Sequence, residues 1–221
     1  MTEGILIIDK PEGITSHDVV FKVRRKLRIK KVGHAGTLDP LATGVLVVLL
    51  GKSTKLSSQF IAFDKSYRAT LILGTITNSA DIQGEVVLQK PYHHLSKENI
   101  IKAVQNFQGE SQQIPPMISA VKHNGQRLYE LARQGIEVER KARLIKIDRI
   151  HVEEINLPYI KIDVDCSKGT YIRQLASDIG EFLGCGACIS QIQRTKVGHF
   201  KLEDAVKIED LNESHIRNWQ G

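Results

Sequence analysis

Asp39 sits in a short stretch of stiff, irregular chain, Gly33-His-Ala-Gly-Thr-Leu-Asp-Pro-Leu-Ala-Thr-Gly-Val-Leu46. Gly33 and Gly36 precede it, Pro40 follows directly, and Gly44 opens a wholly apolar run from Val45 to Leu50. A carboxylate placed this way, at the mouth of a buried strand, is suited to act as a nucleophile or as a base. Catalytic groups favour loops held by a rigid scaffold. The plain alternative is a turn aspartate bonding its own backbone, as Asp-Pro and glycine neighbours allow. Local chemistry alone leaves both open.

The surrounding elements follow from periodicity. Ile5 to Ile8 reads as a buried strand, and Asp9 to Gly13 as a turn. Thr15 or Ser16 caps a helix, with Asp18 completing a capping box. Val19, Val20, Val23 and Leu27 share one face of that helix. The opposite face is basic: Lys22, Arg24, Arg25, Lys26, Arg28, Lys30 and Lys31 occur without an acid among them. A solvated helix face usually mixes signs, so this run reads as a phosphate-contacting surface. Tyr67 to Leu73 reads as a strand, with Glu85 to Leu88 as its hairpin partner. Ser96 caps a helix that Gly109 ends. Residues 111–125 read as loop, Arg127 to Gln134 as a short helix, and 144–155 and 159–166 as two strands. Thr170 to Leu183 is a helix. Strands and helices intermix without strict alternation, which predicts an α+β fold with a mixed, mostly antiparallel central sheet flanked by helices.

Bulk properties narrow the function classes. The chain has 221 residues, 41% hydrophobic and 25% charged, with a net charge of +6. That is a globular profile with a basic excess suited to an anionic partner. No apolar run approaches the roughly 18–20 residues of a membrane helix, and no signal peptide is recognisable. The three cysteines argue against a disulfide framework, so a cytoplasmic location is expected. Cys185-Gly-Ala-Cys188 follows a helix end rather than a strand, and a zinc site lacks its second ligand pair, so these cysteines read as packing residues. Gly51-Lys52-Ser53-Thr54 imitates a phosphate loop, but Leu46 stands where the first glycine belongs.

Five blocks together resemble the TruB family of tRNA pseudouridine synthases. They are the Asp39 stretch; Asp9-Lys-Pro-Glu-Gly-Ile-Thr-Ser-His-Asp-Val-Val20; Lys65-Ser-Tyr67; Gln113-Ile-Pro-Pro-Met-Ile-Ser-Ala-Val-Lys122, continuing through Arg133; and Cys166-Ser-Lys-Gly-Thr-Tyr-Ile-Arg173. The resemblance implies a pseudouridine synthase fold in a single catalytic domain, residues 1–221, with a basic thumb insertion at about 111–141. It implies an isomerase that acts on the T-loop uridine of tRNA, position 55, without cofactor or metal. The departures are Ala35, Ile118, Lys52 and Gln193, where the family commonly has Thr, Tyr, Glu and Arg. The chain is expected to lack the C-terminal PUA module of many members and to act as a monomer. A non-catalytic tRNA-binding or folding protein on the same scaffold is the alternative.

Residue roles follow from the same resemblance. Asp39 is the essential aspartate, attacking C1′ or taking a proton at C2′. Arg173 is the arginine that pairs with it and keeps it charged. Tyr67 stacks on the target base, although a strand tyrosine is equally suited to packing. Tyr171 is a second pocket tyrosine. His34 fills the space a flipped base leaves, although a histidine between glycines also suits a loop hydrogen bond. Lys10 belongs to the N-terminal motif beside the active-site strand. Ile192 is the apolar pocket residue. Arg24, Arg25 and Lys31 on the basic helix, with Lys122 and Arg127 in the thumb, are expected to grip RNA.

Overall fold

Two apolar runs build the heart of the first unit, strand β1 (Gly4–Lys10) and strand β3 (Thr43–Leu50), which pair antiparallel with Ile8 opposite Leu46. Both are buried on two faces, which is why they read as continuous rather than alternating hydrophobics. Leu6, Ile8, Leu46, Val48 and Leu50 point into one core cluster; Ile5, Ile7, Val45, Val47 and Leu49 point into another. Each fully buried aliphatic side chain contributes roughly 1.5–3 kcal/mol.

The computed structural model describes residues 3–119 and 121–219. These divide into two compact units, the first made of residues up to 67 together with those from 192 onward, the second of 68–191.

In the first unit, helix α1 (Ser16–Leu27) follows β1 and begins with the expected capping box: Thr15 Oγ1 accepts from the Asp18 amide at 3.0 Å, and Asp18 accepts from the Thr15 amide at 2.8 Å. Val19, Val20 and Val23 are buried in the core that receives Leu6 and Leu46. Arg24, Arg25 and Lys26 fall in its last turn, where cations complement the helix dipole. Strand β2 (Val32–Ala35) pairs antiparallel with β3 and sets His34 opposite Val48. Helix α2 (Ser57–Ile61) precedes β4 (Lys65–Leu73). Lys65 is buried and donates to Ile61 O at 2.6 Å, closing the end of α2.

In the second unit, the short strands β5 (Thr75–Thr77) and β6 (Val86–Gln89) form their own two-stranded sheet. Helix α3 (Lys97–Gln105) leads to β7 (Gly109–Gln113). A small hairpin, β8 (Lys122–His123) and β9 (Gln126–Arg127), runs into helix α4 (Leu128–Arg133). Strands β10 (Arg143–Asn156) and β11 (Tyr159–Cys166) form a long antiparallel pair, and helix α5 (Ile172–Phe182) follows. The strand order is β4-β11-β10-β7. Strand β12 (Ala187–Val197) leaves α5 and runs into the first unit, as β4 runs the other way. There β12 lies parallel to β3 through Gln193–Thr43 and Arg194–Gly44. Strands β13 (Phe200–Lys201) and β14 (Val206–Lys207) complete that unit, on β12 and β1 respectively.

The α+β class with mostly antiparallel pairing is as expected; the local readings differ in places. Residues 86–89 pair with β5, not with β4; Gly74 supplies a turn that sends the chain away before the hairpin forms. Gly109 opens β7 rather than closing α3, whose last turn ends at Asn106. The polar Gly109–Gln113 segment is a strand because β10 offers it an edge, with Arg143 opposite Gln113. The cysteines pack as expected: all three are buried, and burial pushes the Cys188 thiol up to about 11, leaving it unreactive. Residues Gly51–Leu56 form a 3-10 helix rather than a phosphate loop.

Candidate active site

Asp39 lies half-buried on the link between β2 and β3, flanked by Leu38 and Ala42, which are buried in the core. Its loop is fixed through the backbone on every side. The Leu38 amide donates to Ser16 Oγ at 2.8 Å, and that hydroxyl donates back to Leu38 O at 3.0 Å. The Ala42 amide donates to Asp39 O at 3.0 Å, and the Gly13 amide donates to Pro40 O at 2.9 Å. Asp39 therefore stands on a turn that main-chain hydrogen bonds hold in place.

Two fully buried cations hold that turn. Lys10 is 0% exposed; its Nζ donates to Pro11 O at 2.8 Å and Pro40 O at 3.3 Å. Burial pushes its ammonium down to about 8, while the Asp39 carboxylate nearby favours the charged form. Arg194 is 1% exposed; its guanidinium donates to Val45 O at 2.8 Å, Gly36 O at 3.1 Å and Thr37 O at 3.5 Å. One planar fork thus bridges the chain before Asp39 and the chain after it. Arg194 as a loop clamp was not legible in the sequence, because its three acceptors are main-chain atoms far away in the chain.

Tyr67 and Ile192 are half-buried and pack against the same core cluster as Leu38 and Ala42. His34 lies in β2, half-exposed, rather than in a glycine loop; the edge offered by β3 decides this. Arg24, Arg25 and Lys31 are exposed, with Arg24 reaching back to Val32 O at 3.4 Å.

In the second unit Arg173, at the start of α5, is 5% exposed. A cation at a helix N-terminus is electrostatically disfavoured, and acceptors offset this. Its guanidinium donates to Ser79 O and Ile118 O, each at 2.8 Å, and lies 3.6 Å from an Asp81 carboxylate oxygen. Asp81 is itself buried and accepts from Ser79 Oγ at 2.7 Å. No sequence motif singles out Asp81; a Ser79-x-Asp81 pair ahead of Gly84 is the signal that could have found it. Tyr171 caps α5, and buried Gln113 grips it by both main-chain groups, accepting from the Tyr171 amide at 2.8 Å and donating to Tyr171 O at 3.1 Å. Lys122 and Arg127 face one another across the β8–β9 hairpin, both exposed. Asn124 and Gly125 turn that hairpin with φ of 49° and 88°, which the Asn-Gly pair permits.

Among the described residues no group of three or more His, Cys, Asp or Glu is placed to hold a metal ion, and no helix is long and apolar enough to cross a membrane.

Residues 24–172 match the profile of the TruB family pseudouridylate synthase N-terminal domain, and residues 173–220 match the tRNA pseudouridylate synthase B C-terminal domain. The tRNA pseudouridine synthase B of Clostridium tetani is 49% identical over 216 residues, covering 98% of this chain and 75% of that protein. The protein of the same name from Endomicrobium trichonymphae is 46% identical over 210 residues, covering 95% and 91%. Among solved structures, a chain of a Cbf5-Nop10-Gar1 complex superposes with a TM-score of 0.74 at 34% identity, covering 94% of this chain and 53% of that one. A chain of an H/ACA RNP bound to a substrate RNA containing 2′-deoxyuridine gives 0.71 at 31% identity, with 94% and 52% coverage. The chain thus spans about half the length of these solved chains. By sequence across nearly its whole length and by fold, this chain belongs to the TruB family of pseudouridylate synthases.

Proposed function

We propose that the protein is a tRNA pseudouridine synthase that isomerises the T-loop uridine at position 55, with Asp39 as the reacting carboxylate. The observation that carries this reading is the clamp on the Asp39 turn by two buried cations, Lys10 and Arg194, acting through backbone carbonyls. A carboxylate that served only as a turn cap would not need a scaffold of this stiffness.

The reaction breaks the bond between N1 of uracil and C1′ of its ribose, turns the base, and joins C5 to C1′. The C5 proton is lost and N1 regains one, so no redox partner is consumed. An ionised Asp39 serves either as nucleophile at C1′ or as base at C2′. Tyr67 and Ile192 supply an aromatic and an aliphatic wall suited to a flipped pyrimidine. His34 is assigned to the space that base vacates. The family resemblance assigns Arg173 the support of the reacting carboxylate and Tyr171 the role of a second pocket tyrosine. Asp81 and the carbonyls of Ser79 and Ile118 hold the Arg173 guanidinium in one orientation.

RNA would be gripped electrostatically. Arg24, Arg25 and Lys31 line the exposed basic face of α1 and its exit, and Lys122 and Arg127 sit side by side on the thumb hairpin. The enzyme is read as a monomer that needs neither metal nor cofactor.

The deciding experiment maps pseudouridine in a T-stem-loop RNA incubated with the wild-type protein and with Asp39→Asn. The wild type is expected to modify the T-loop uridine alone, and the variant to bind without product. A fully active Asn variant removes Asp39 from the chemistry. A wild type that binds the RNA and modifies nothing favours a tRNA-binding or folding protein.

A further inference from the structure

A groove of about 570 Å³ opens in the first unit, between the turn after β1, the polar face of α1 and the segment that follows β14. Its apolar floor is Pro11, Ile14 and Ile208. Its rim carries Lys22, Arg25 and Lys26, and Glu209 is the single acid in its lining. The cations are spaced three and four residues apart, so they share one side of α1. Lys26 is occupied in holding the groove together: its Nζ donates to Ile208 O at 2.9 Å and also to Glu209 O. Lys22 and Arg25 remain exposed at the rim.

We infer that this groove seats an unstacked nucleotide of the substrate RNA, its base on Ile14, Pro11 and Ile208 and its phosphate against Lys22 and Arg25. The inference rests on the RNA-modifying reading above and deepens it. An apolar floor beneath a cationic rim matches a nucleotide, which presents a flat apolar face and an anion a few ångströms apart. Charge complementarity selects the occupant: α1 and its exit carry seven Lys or Arg between residues 22 and 31 and no acid. The groove is also fastened to the reacting turn. The Gly13 amide, between Pro11 and Ile14, donates to Pro40 O at 2.9 Å, and Lys10 Nζ bridges Pro11 O and Pro40 O. The turn that floors the groove is thus hydrogen-bonded to the residue next to Asp39, so we assign the occupant to the same RNA loop as the target.

The test is a double-mutant cycle between protein and RNA. T-stem-loop RNAs with a single abasic substitution at each loop position are titrated against the wild type, Ile14→Ser, Lys22→Glu/Arg25→Glu and the control Lys30→Glu. One abasic position other than the target is expected to weaken wild-type binding about tenfold, the worth of one stacked base. The same substitution should cost less than about twofold in Ile14→Ser, because the stacking surface is already gone. The exposed Lys22→Glu/Arg25→Glu pair, which touches no core, should lose more affinity than Lys30→Glu. If the wild type modifies the RNA but no abasic position couples to Ile14, or Lys30→Glu couples equally, the groove is not a nucleotide site and the functional reading stands. If the wild type neither binds nor modifies the RNA, both readings fall.

Discussion

Arg194 and Gly44 face each other across the parallel pair β12 and β3, so closely that a Cβ on Gly44 would stand 2.3 Å from Arg194 O. Gly44 also holds a φ of 96°, a conformation L-residues rarely adopt. This close approach lets the Arg194 guanidinium reach Val45 O, Gly36 O and Thr37 O at once. The Asp39 turn is therefore shaped by a backbone approach that only glycine permits.

Gly44→Ala is expected to force β12 away from β3 and to strain the backbone. The cost combines roughly 1–2 kcal/mol for the left-handed conformation with a backbone overlap that cannot relax by side-chain movement. A fall of several degrees in the thermal midpoint, with at least a tenfold fall in kcat, is the expected result, read by calorimetry and by pseudouridine formation.

Arg194→Met should leave buried carbonyls without a donor, each costing about 1–3 kcal/mol. Because Arg194 acts through the loop and not on RNA, kcat should fall at least tenfold while KM changes little. Arg194→Lys cannot supply the planar fork and should rescue poorly. A variant that raises KM alone would show that Arg194 contacts RNA instead.

Lys10 predicts a pH dependence of definite sign. Its ammonium titrates near 8 in the folded protein because burial disfavours the charge. In the unfolded chain it titrates near its ordinary value of 10.5. Between these values the unfolded chain holds more protons, so stability rises with pH there, by up to about 1.4 kcal/mol per pH unit. Below pH 8 both states are protonated and the slope from this group vanishes. The urea midpoint followed from about pH 7 to about pH 10.5 should show this rise in the wild type and not in Lys10→Met.

Asp81→Asn removes the charge beside Arg173 and keeps a group that can bond Ser79. Removing one partner of a buried ion pair typically costs up to about 3–5 kcal/mol, and the carbonyls of Ser79 and Ile118 that still hold Arg173 should keep the loss below that range. Pseudouridine formation should drop sharply with RNA affinity little changed. A parallel fall in binding and activity would place Asp81 in RNA recognition.

The exposed basic face makes a salt prediction. Alanine at Lys30 or Lys31 should weaken tRNA binding and reduce the slope of log K against log salt by about 0.7–0.9 for each phosphate that the protein no longer neutralises. Filter binding over a range of salt concentrations reads this directly, and unchanged slopes would take the segment that follows α1 out of the interface.

What the sequence determined alone were the features that neighbouring residues settle between themselves. The capping box of Thr15 and Asp18, the valine face of α1, and the doubly buried runs of β1 and β3 all rest on interactions within a few residues or on the apolar pattern of a single run. The ordered motifs singled out Asp39, Tyr67 and Arg173 as candidates. What only the tertiary structure decided depends on partners far along the chain. Gly109–Gln113 is polar and becomes a strand because β10 presents an open edge. His34 is in a strand because β3 lies beside it. Arg194 meets carbonyls 149 to 158 positions away, and Arg173 meets Ser79 O 94 positions away. Every residue carries the same backbone carbonyl, so no sequence pattern announces which ones an arginine will find. That choice is made when strands pack and buried charges must be satisfied.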